Sequence, residues 1–366
     1  MGAQDKRRPR LLILSRYGRK GPSSRLRYLD YLPYLEAEGF SVRWHGFFSD
    51  AYLDLAYSGR RRLAALLGLL AYLPRLGWLP AAFRADVVWI EKEIFPWVPA
   101  WAERALTRAG VRLVSDYDDA WYLRYRGHQT PSLAARFPDK IEQVMTTSSL
   151  VMAGNPVIET HARKAGARSI MLVPTVLDAE RYVTRRHQAA EAVRIVWIGT
   201  AFNSAYLREI APALADAAAR CAIELVIIGG AGIDLPGVLI RYMDWSEATE
   251  ADELARCDIG VMPLRDTQWD RGKCAFKLLQ YMAAGLPVVA SPVGVNVEIA
   301  TPEVGFLPRS QGEWADALVR LAGEPQLRAS LGAAGRRRIE QDYSLRVWGP
   351  KVSRALMDQI EPTRAR

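Results

Sequence analysis

The amino-acid sequence predicts an α/β protein with two domains, each built around a parallel sheet. Short β-branched or apolar segments alternate with longer helical patterns in both halves of the chain, as in stacked βαβ units. The chain has 366 residues, of which 50% are hydrophobic, and this is too long for one ordinary core but enough for two. A charged stretch at 178–193 lacks strand character. We therefore expect one domain at 1–180 and a second at 181–346.

Ten segments have the composition of buried strands. They are residues 11–15, 41–47, 86–93, 111–116, 150–155 and 169–175 in the first half, and 194–200, 223–230, 258–264 and 287–292 in the second. Several of them end on Gly, Ser, Thr, Asn or Pro. Because the carboxyl ends of strands in an open parallel sheet face the ligand crevice, we expect binding residues at these ends.

The cysteines and the apolar segments indicate a cytoplasmic protein. Cys221, Cys257 and Cys274 form no close pair, so they provide neither a disulfide framework nor a zinc spacing. The apolar run after the basic N-terminus, LLILS, has only the length of a strand. The longest apolar stretch, residues 63–73, has eleven residues, whereas a membrane span needs about 20.

Positive charge is concentrated in the first half of the chain. Residues 1–190 hold 29 Lys or Arg against 18 Asp or Glu, and residues 191–366 hold 20 against 22. A basic surface attracts nucleic acid or anionic lipid, and we expect no nucleic-acid partner because no homeodomain, zinc-finger or RNA-binding signature is present. Residues 52–78 combine three consecutive arginines (60–62) with Leu and aromatic residues at helical spacing. Such a helix either lies on an anionic membrane surface or belongs to the core with one solvated end.

The most informative segment is RDTQWDRGKCAFKLLQYMAAGLPVVASPVGVN, residues 265–296. It predicts a helix that begins after Gly272 and is followed by a buried strand. Lys273, Lys277 and Gln280 recur at four-residue and three-residue spacing, which places them on one helix face. Lysines near the positive N-terminal end of a helix are unfavourable unless an anion is present, and a phosphate group would supply one. A solvated basic face is the alternative.

The part KLLQYMAAGLPVVAS of this segment resembles the donor-site helix and following strand of glycosyltransferase family 4. The resemblance implies the GT-B fold, with two Rossmann-like domains facing a central cleft and a final helix, here expected at 347–362, that packs back on the first domain. It also implies transfer from a nucleotide diphosphate sugar with retention of anomeric configuration, without a metal or other cofactor. The sequence departs from the family pattern in that Gln280 stands in place of its second Glu and Gly272 in place of its first. The family's usual Arg and Lys after the first strand of the second domain are also absent, and Arg271, Lys273 and Lys277 are expected to supply that positive charge.

Donor-binding and phosphate-binding residues follow from the same comparison. Gly199 and Thr200 end a buried strand, so a diphosphate can approach the backbone there, although an ordinary tight turn is the alternative. The other donor-binding candidates are Arg271, Gln280, Tyr242 and Trp245, and the two aromatic residues either stack on the base or pack in the core. In the first domain a G-P-S-S-R loop is similar to the glycine-rich first loop of the family. Its phosphate-binding or acceptor-binding residues are Gly21, Ser23, Ser24 and Arg25, with a bare surface loop as the alternative.

Three acidic residues, Asp116, Asp118 and Asp119, come at the end of a buried strand. Carboxylates this close repel one another, so such a cluster usually serves a metal, a basic partner or acid–base chemistry. The D-x-D spacing alone is typical of single-domain GT-A glycosyltransferases, and the two-domain layout argues against that fold. We assign Asp118 and Asp119 to orienting the acceptor hydroxyl or the donor sugar, with structural hydrogen bonding to loop amides as the alternative. Lys273 and Lys277 are the other catalytic candidates.

The resemblance, together with these patterns, implies a glycosyltransferase that moves a sugar from a nucleotide diphosphate sugar to a lipid-linked or saccharide acceptor in surface polysaccharide or glycolipid synthesis. We expect a cytoplasmic enzyme at the inner face of a membrane. A nucleotide-sugar epimerase of the same fold is the first alternative. A nicotinamide oxidoreductase is disfavoured because no G-x-G-x-x-G follows the first strand. None of the four histidines, His128 among them, has a triad partner at recognisable spacing.

Overall fold

The structure is a computed structural model that describes residues 7–126, 134–188 and 191–360. The chain divides into two compact units, one formed by residues 1–175 and 348–366 and the other by residues 176–347. The chain thus passes from the first unit to the second after Thr175, whereas the sequence placed the domain boundary at residue 180. His128 lies outside the described residues.

The first unit contains a six-stranded parallel sheet. Its strands are β1 (Arg10–Tyr17), β2 (Ser41–Phe48), β3 (Val87–Glu91), β4 (Arg112–Tyr117), β5 (Leu150–Ala153) and β6 (Ile170–Leu172), in the spatial order β2-β1-β3-β4-β5-β6. The chain leaves β1 for β2 on one side and returns to β3 on the other. In open α/β sheets, ligands bind outside the carboxyl ends of the strands at such a reversal. The reversal in this unit lies between β1 and β3.

Helices connect these strands. The α-helices of the first unit before β6 are Pro22–Arg27, Leu32–Ala37, Asp50–Tyr57, Arg61–Leu70, Tyr72–Gly77, Leu79–Phe83, Trp101–Arg108, Lys140–Thr147 and Pro156–Ala165. Every residue of β3 is buried. A strand covered on both faces reads as a nearly continuous apolar run, which is why β3 was recognisable in the sequence.

The second unit contains another six-stranded parallel sheet. Its strands are β7 (Val193–Ile198), β8 (Ile223–Ile228), β9 (Leu239–Met243), β10 (Ile259–Met262), β11 (Val288–Ala290) and β12 (Gly305–Phe306), in the order β12-β11-β10-β7-β8-β9. Its α-helices are Ala211–Arg220, Glu250–Ala255, Gln268–Arg271, Phe276–Ala283, Asn296–Ile299, Gln311–Gly323 and Pro325–Asp342. The reversal of strand order in this sheet lies between β7 and β10.

These two sheets confirm the predicted α/β class with two Rossmann-like parallel-sheet domains. All ten predicted strands are present, and β9 and β12 were not predicted. β9 is an edge strand whose residues are exposed or only half-buried, so it lacks the apolar run of a buried strand. β12 has only two residues, too few to give a periodic pattern.

The final helix spans Leu345–Met357, whereas the sequence predicted 347–362. From Trp348 onward the chain belongs to the first unit. A side chain at Gly349 would collide with the ring of Tyr34, and Arg354 lies 3.8 Å from Glu38. The last helix therefore packs on the Leu32–Ala37 region of the first unit.

Candidate functional site

The first candidate site lies at the reversal of the second sheet, where β7 and β10 separate. The two strands are paired only through Ile195 with Ile259 and Val196 with Gly260. Beyond these pairs the hydroxyl of Tyr281 stands between them. It accepts a hydrogen bond from the Ile198 amide at 3.1 Å and donates one to the Val261 carbonyl at 3.3 Å. The ring of Tyr281 lies against Gly260, where any side chain would collide with it.

Tyr281 was not singled out in the sequence, and the structure predicts a measurable role for its hydroxyl. In a Tyr281→Phe variant the buried Ile198 amide loses its partner, which costs about 1–3 kcal/mol for an unsatisfied buried group. We expect the free energy of unfolding in urea to fall by this amount. Tyr57→Phe is the matched control, because Tyr57 is exposed. Equal stability of the two variants would show that the hydroxyl contributes little.

Three glycines line the carboxyl ends of β7 and β8, and we call Gly199, Gly229 and Gly230 the glycine cradle. A Cβ atom on Gly229 would lie 2.7 Å from the Gly199 carbonyl oxygen and 2.9 Å from Cβ of Trp245. Gly229 also has a φ of +72°, which L residues with a side chain rarely adopt. Close packing of neighbouring protein atoms therefore requires glycine at these positions. Approach of a diphosphate to the backbone at this strand end stays a prediction.

Lys277 lies beside this cradle. It occupies the first turn of the helix Phe276–Ala283, and its ammonium group is 5.4 Å from the ring centroid of Trp197. Its Cε atom is 3.0 Å from the position that a Cβ on Gly199 would take. The structure thus brings together two residues that the sequence predicted for the same ligand. Positive charge at the N-terminal end of a helix is balanced best by an anion.

Lys273 differs from the prediction. The expected helix after Gly272 begins only at Phe276, because Ala275 has a left-handed backbone with φ +53° and cannot be part of the helix. Lys273 therefore does not share a helix face with Lys277 and Gln280. Its ammonium group instead lies 2.9 Å from Asp270 and donates to the Tyr206 hydroxyl at 2.8 Å.

Asp270 lies beside Lys273 in this candidate site, and the sequence analysis did not select it. Its carboxylate is buried and accepts hydrogen bonds from the hydroxyls of Tyr206 at 2.5 Å and Thr267 at 2.8 Å. It stands two residues before Gly272, the position of the missing family Glu. Its position two residues before Gly272 was the feature of the sequence that could have identified Asp270. The structure adds its ion pair with Lys273.

The remaining donor-binding candidates have protein partners in the structure. Arg271 is exposed and makes a bidentate ion pair with Asp266, while the amide of buried Gln280 donates to the Tyr182 hydroxyl at 3.3 Å. The other contacts are the indole of Trp245 to Glu250 at 2.7 Å, and the hydroxyl of Tyr242 to the Ile233 carbonyl. Thr200 is half-buried after the end of β7. Donor binding by these residues stays a prediction.

The second candidate site lies at the carboxyl ends of β1, β3 and β4 in the first unit. Lys92, directly after β3, is buried, and its ammonium group lies 3.0 Å from Asp118 and 3.3 Å from Glu91. Ser24 donates to the other oxygen of Glu91 at 2.5 Å, and Ser23 hydrogen-bonds to Asp118. The predicted loop serines and the predicted acid are therefore joined through two residues, Glu91 and Lys92, that were not predicted.

Charge determines the protonation state of this cluster. Burial alone raises the pKa of Asp118, but Lys92, the hydrogen bond from Ser23 and the charge of Arg27 together hold that pKa below its ordinary value. Burial lowers the pKa of Lys92, and the charges of Asp118, Glu91 and Asp119 outweigh this effect and raise it. At neutral pH Asp118 is thus a carboxylate paired with an ammonium ion. Lys92 also has a left-handed φ of +67°, and strain of this kind clusters at functional sites.

The neighbouring charges of the first unit are paired within the protein. Buried Glu93 binds Lys140 at 2.6 Å and Arg16 at 3.2 Å. Arg27 donates to Asp116 at 2.5 and 3.0 Å, while burial raises the pKa of Asp116 to about 6 against the effect of Arg27. Of these groups, Arg27 lies close enough to Asp118 to lower its pKa.

The other loop residues hold the start of the first helix. Arg25 is buried, and its amide donates to the Gly21 carbonyl at 2.9 Å. A side chain at Gly21 would collide with Tyr17. Asp119 is half-buried near Lys92. Among the residues that the structure describes, no group of three or more His, Cys, Asp or Glu side chains is arranged to hold a metal ion.

The sequence of the second unit matches a known family of enzymes. Residues 192–324 match the model of the family "Glycosyl transferases group 1". A segment of 113 residues, 30% of this chain, is 32% identical to a GDP-mannose-dependent monoacylated α-(1-6)-phosphatidylinositol monomannoside mannosyltransferase of Corynebacterium glutamicum. The match spans 29% of the length of that curated relative. The range matched by the family model, residues 192–324, includes the glycine cradle and Lys277.

Solved structures match nearly the whole chain. Anabaena Alr3699/HepE in complex with UDP-glucose has a TM-score of 0.67 at 17% identity and covers 95% of this chain and 99% of its own. A glycosyltransferase from Rickettsia africae gives a TM-score of 0.68 at 11% identity, covering 97% and 100%. Sucrose-phosphate synthase from Thermosynechococcus elongatus gives 0.65 at 13% identity, covering 96% and 99%. At these identities the likeness establishes the fold, which is that of the GT-B glycosyltransferases.

The family match and the likeness of fold agree with each other. Residues 192–324 of the second unit match the model of the group 1 glycosyltransferases, and the fold of the whole chain is that of the matched structures. The match agrees with the resemblance to a glycosyltransferase that the segment around Lys277 suggested, at the level of the group 1 glycosyltransferases.

Proposed function

We propose that this chain transfers a sugar from a nucleotide diphosphate sugar to a lipid-linked or saccharide acceptor, with retention of anomeric configuration. The observation that carries the proposal is the glycine cradle with Lys277 beside it, at the strand reversal of the second sheet. Bare backbone, an ammonium group and a helix N-terminus are suited to a diphosphate. The cradle also lies inside the stretch that matches the glycosyltransferase family.

Transfer of the sugar requires the protein to stabilise the negative charge that grows on the leaving diphosphate. Lys277 and the start of its helix supply positive charge for this purpose, and we propose that they act in place of a metal ion. Lys273 supports them through Asp270, which fixes its position. Asp118 in the first unit orients the acceptor hydroxyl or the sugar, because it is held as a carboxylate by Lys92 and Ser23.

The donor and acceptor classes are supported by the relatives. The Corynebacterium relative is named for GDP-mannose and for a phosphatidylinositol mannoside, and the Anabaena structures contain UDP or UDP-glucose. We propose that this chain works in surface polysaccharide or glycolipid assembly, as a cytoplasmic enzyme peripheral to the inner face of a membrane. The basic first half of the chain favours this location.

A product assay with the full chain tests the proposal. The purified protein is first screened for thermal stabilisation by a panel of nucleotide sugars that includes GDP-mannose and UDP-glucose, since a bound donor stabilises by mass action. The stabilising donor is then incubated with and without bacterial lipid and saccharide acceptors. We expect donor consumption that depends on the acceptor. NMR of the product should show that the transferred sugar has the same anomeric configuration as in the donor. Conversion of the donor to an isomer without acceptor would instead identify an epimerase.

A further inference from the structure

The helical stretch Arg61–Phe83 of the first unit has two opposite sides. It consists of three successive helices and is long and apolar enough, by length and composition, to cross a membrane, although only 17% of its most apolar window is buried. The inner side packs on the unit through Ala64, Arg75 and Ala82, which are all buried. Gly68 on the same side faces the rings of Tyr52 and Phe48.

The outer side exposes a row of large apolar side chains. We call this row the leucine ridge; it comprises Leu63, Leu66, Leu69, Leu70, Leu73 and Leu76, each between 42% and 69% exposed. These residues recur every three or four positions, so they form one stripe on a helical surface. Single exposed leucines are ordinary, but a contiguous apolar stripe indicates an interaction surface.

The charge around the leucine ridge indicates the chemistry of its partner. Residues 55–85 contain five arginines and no Asp or Glu. Arg60, Arg61 and Arg62 are exposed where the stretch begins, and Arg84 is exposed where it ends. An apolar stripe with arginines at both ends matches the interface of an anionic bilayer, where acyl chains accept the leucines and headgroup phosphates accept the guanidinium groups.

Arg75 distinguishes a helix that lies on a membrane from one that crosses it. Its guanidinium is buried in the middle of the stretch and donates to the carbonyls of Ser15 at 2.6 Å and His45 at 3.3 Å. The Tyr72 hydroxyl binds the Pro96 carbonyl, and Trp78 packs on Arg43 and His45. Crossing a bilayer would remove all of these contacts and place a charged residue in hydrocarbon. The inner side is thus fixed to the sheet, and only the ridge is available to lipid.

We propose that the leucine ridge is a membrane-docking surface that lies in the interface of an anionic bilayer. The proposal gives the lipid-linked acceptor of the proposed function a location on the first unit. It does not require that function, because binding to vesicles is measured without donor or acceptor.

Flotation of the full chain with vesicles tests the proposal. We expect binding to vesicles of phosphatidylcholine mixed with phosphatidylglycerol, and much weaker binding to vesicles of phosphatidylcholine alone. Replacing Leu66, Leu69 and Leu73 together with Gln should lower the partition coefficient by about tenfold or more. Replacing Arg60, Arg61 and Arg62 with Gln should remove the preference for the anionic lipid.

A matched control uses three other exposed apolar residues. Leu172, Val183 and Leu239 lie outside the ridge, and their replacement with Gln should leave vesicle binding unchanged. All variants should keep the melting temperature of the wild type and its binding to the stabilising nucleotide sugar. Absence of vesicle binding by the wild type, or equal binding by the ridge variant and the control, would overturn the proposal.

Two further outcomes would also overturn it. A chain that dimerises in solution through the ridge and does not bind vesicles would show that a second copy covers the stripe. A chain that stays with the membrane after alkaline carbonate extraction would show that the stretch crosses it. If vesicle binding is found but no sugar is transferred, the docking surface stands and the proposed function fails.

Discussion

Replacing Lys277 with Ala is expected to reduce turnover by about 10²- to 10³-fold, which is typical for the loss of one group that stabilises transition-state charge. Donor affinity should fall much less, because negative charge on the diphosphate grows only as the bond to the sugar breaks. The reason for choosing Lys277 is its position beside Gly199 and over the ring of Trp197. The measurement is kcat and KM for the donor at saturating acceptor.

Arg256→Ala provides the control in the same unit. Arg256 is exposed and pairs with Glu253 on the surface, and such pairs contribute little. It should leave both kinetic constants unchanged. Melting curves of both variants are needed because lysine stems also pack against neighbours. Full turnover by a folded Lys277→Ala variant would assign this lysine to a solvated face.

Replacing Lys92 with Met is expected to move the acid limb of the pH–activity profile to higher pH by about one unit or more, the usual effect of an opposite charge on a carboxyl group. In the wild type the pKa of Asp118 is held below its ordinary value by Lys92 despite burial. Activity that needs the carboxylate is therefore lost only as the pH falls through that low pKa. Without the ammonium group, burial raises the pKa of Asp118, so the loss begins at higher pH.

Three further variants isolate this effect. Lys92→Arg keeps the positive charge and should restore the wild-type profile, which a purely steric role would not explain. Asp118→Asn should be nearly inactive at every pH. Lys164→Met removes an exposed lysine of the same unit and should change nothing. An acid limb that stays in place in a folded Lys92→Met variant would show that Asp118 does not carry the titration.

The sheets were predictable because a parallel strand that is buried on both faces appears in the sequence as a nearly continuous apolar run. β3 and β8 are buried along their whole length, so each appears as an apolar run between helical patterns. Edge strands such as β9 lack this apolar run, because their residues are exposed or only half-buried. The start of the helix at Phe276 was also not predictable, since it depends on a left-handed backbone at Ala275 that alanine does not indicate.

The candidate sites were predictable only in part, because several of their contacts join residues that are far apart along the chain. Glycine ends of strands and lysines near a helix start are local patterns, and these identified Gly199 and Lys277. The link from Ser24 to Glu91 joins residues 67 positions apart, and Tyr281 reaches Ile198 across 83 positions. Such contacts arise from strand order, which a single sequence does not display. For Glu91 and Lys92 the available signal was the run of three charged residues, Glu91 to Glu93, at the end of a buried strand, which the sequence analysis did not use.

The central claim is that the glycine cradle of the second unit holds the diphosphate of the donor. Isothermal titration of the full chain with GDP, UDP and the corresponding nucleosides tests it most directly. We predict that one diphosphate binds at least about tenfold more tightly than its nucleoside, as charge-assisted contacts to phosphate require. In Gly229→Ala the new Cβ would lie 2.7 Å from the Gly199 carbonyl and displace the backbone of the cradle, so this variant should lose most of the difference. Melting curves identify the temperature at which the variant is folded, and binding is measured there. Equal affinity for nucleoside and diphosphate, or a Gly229→Ala variant that binds as tightly as the wild type, would contradict the account.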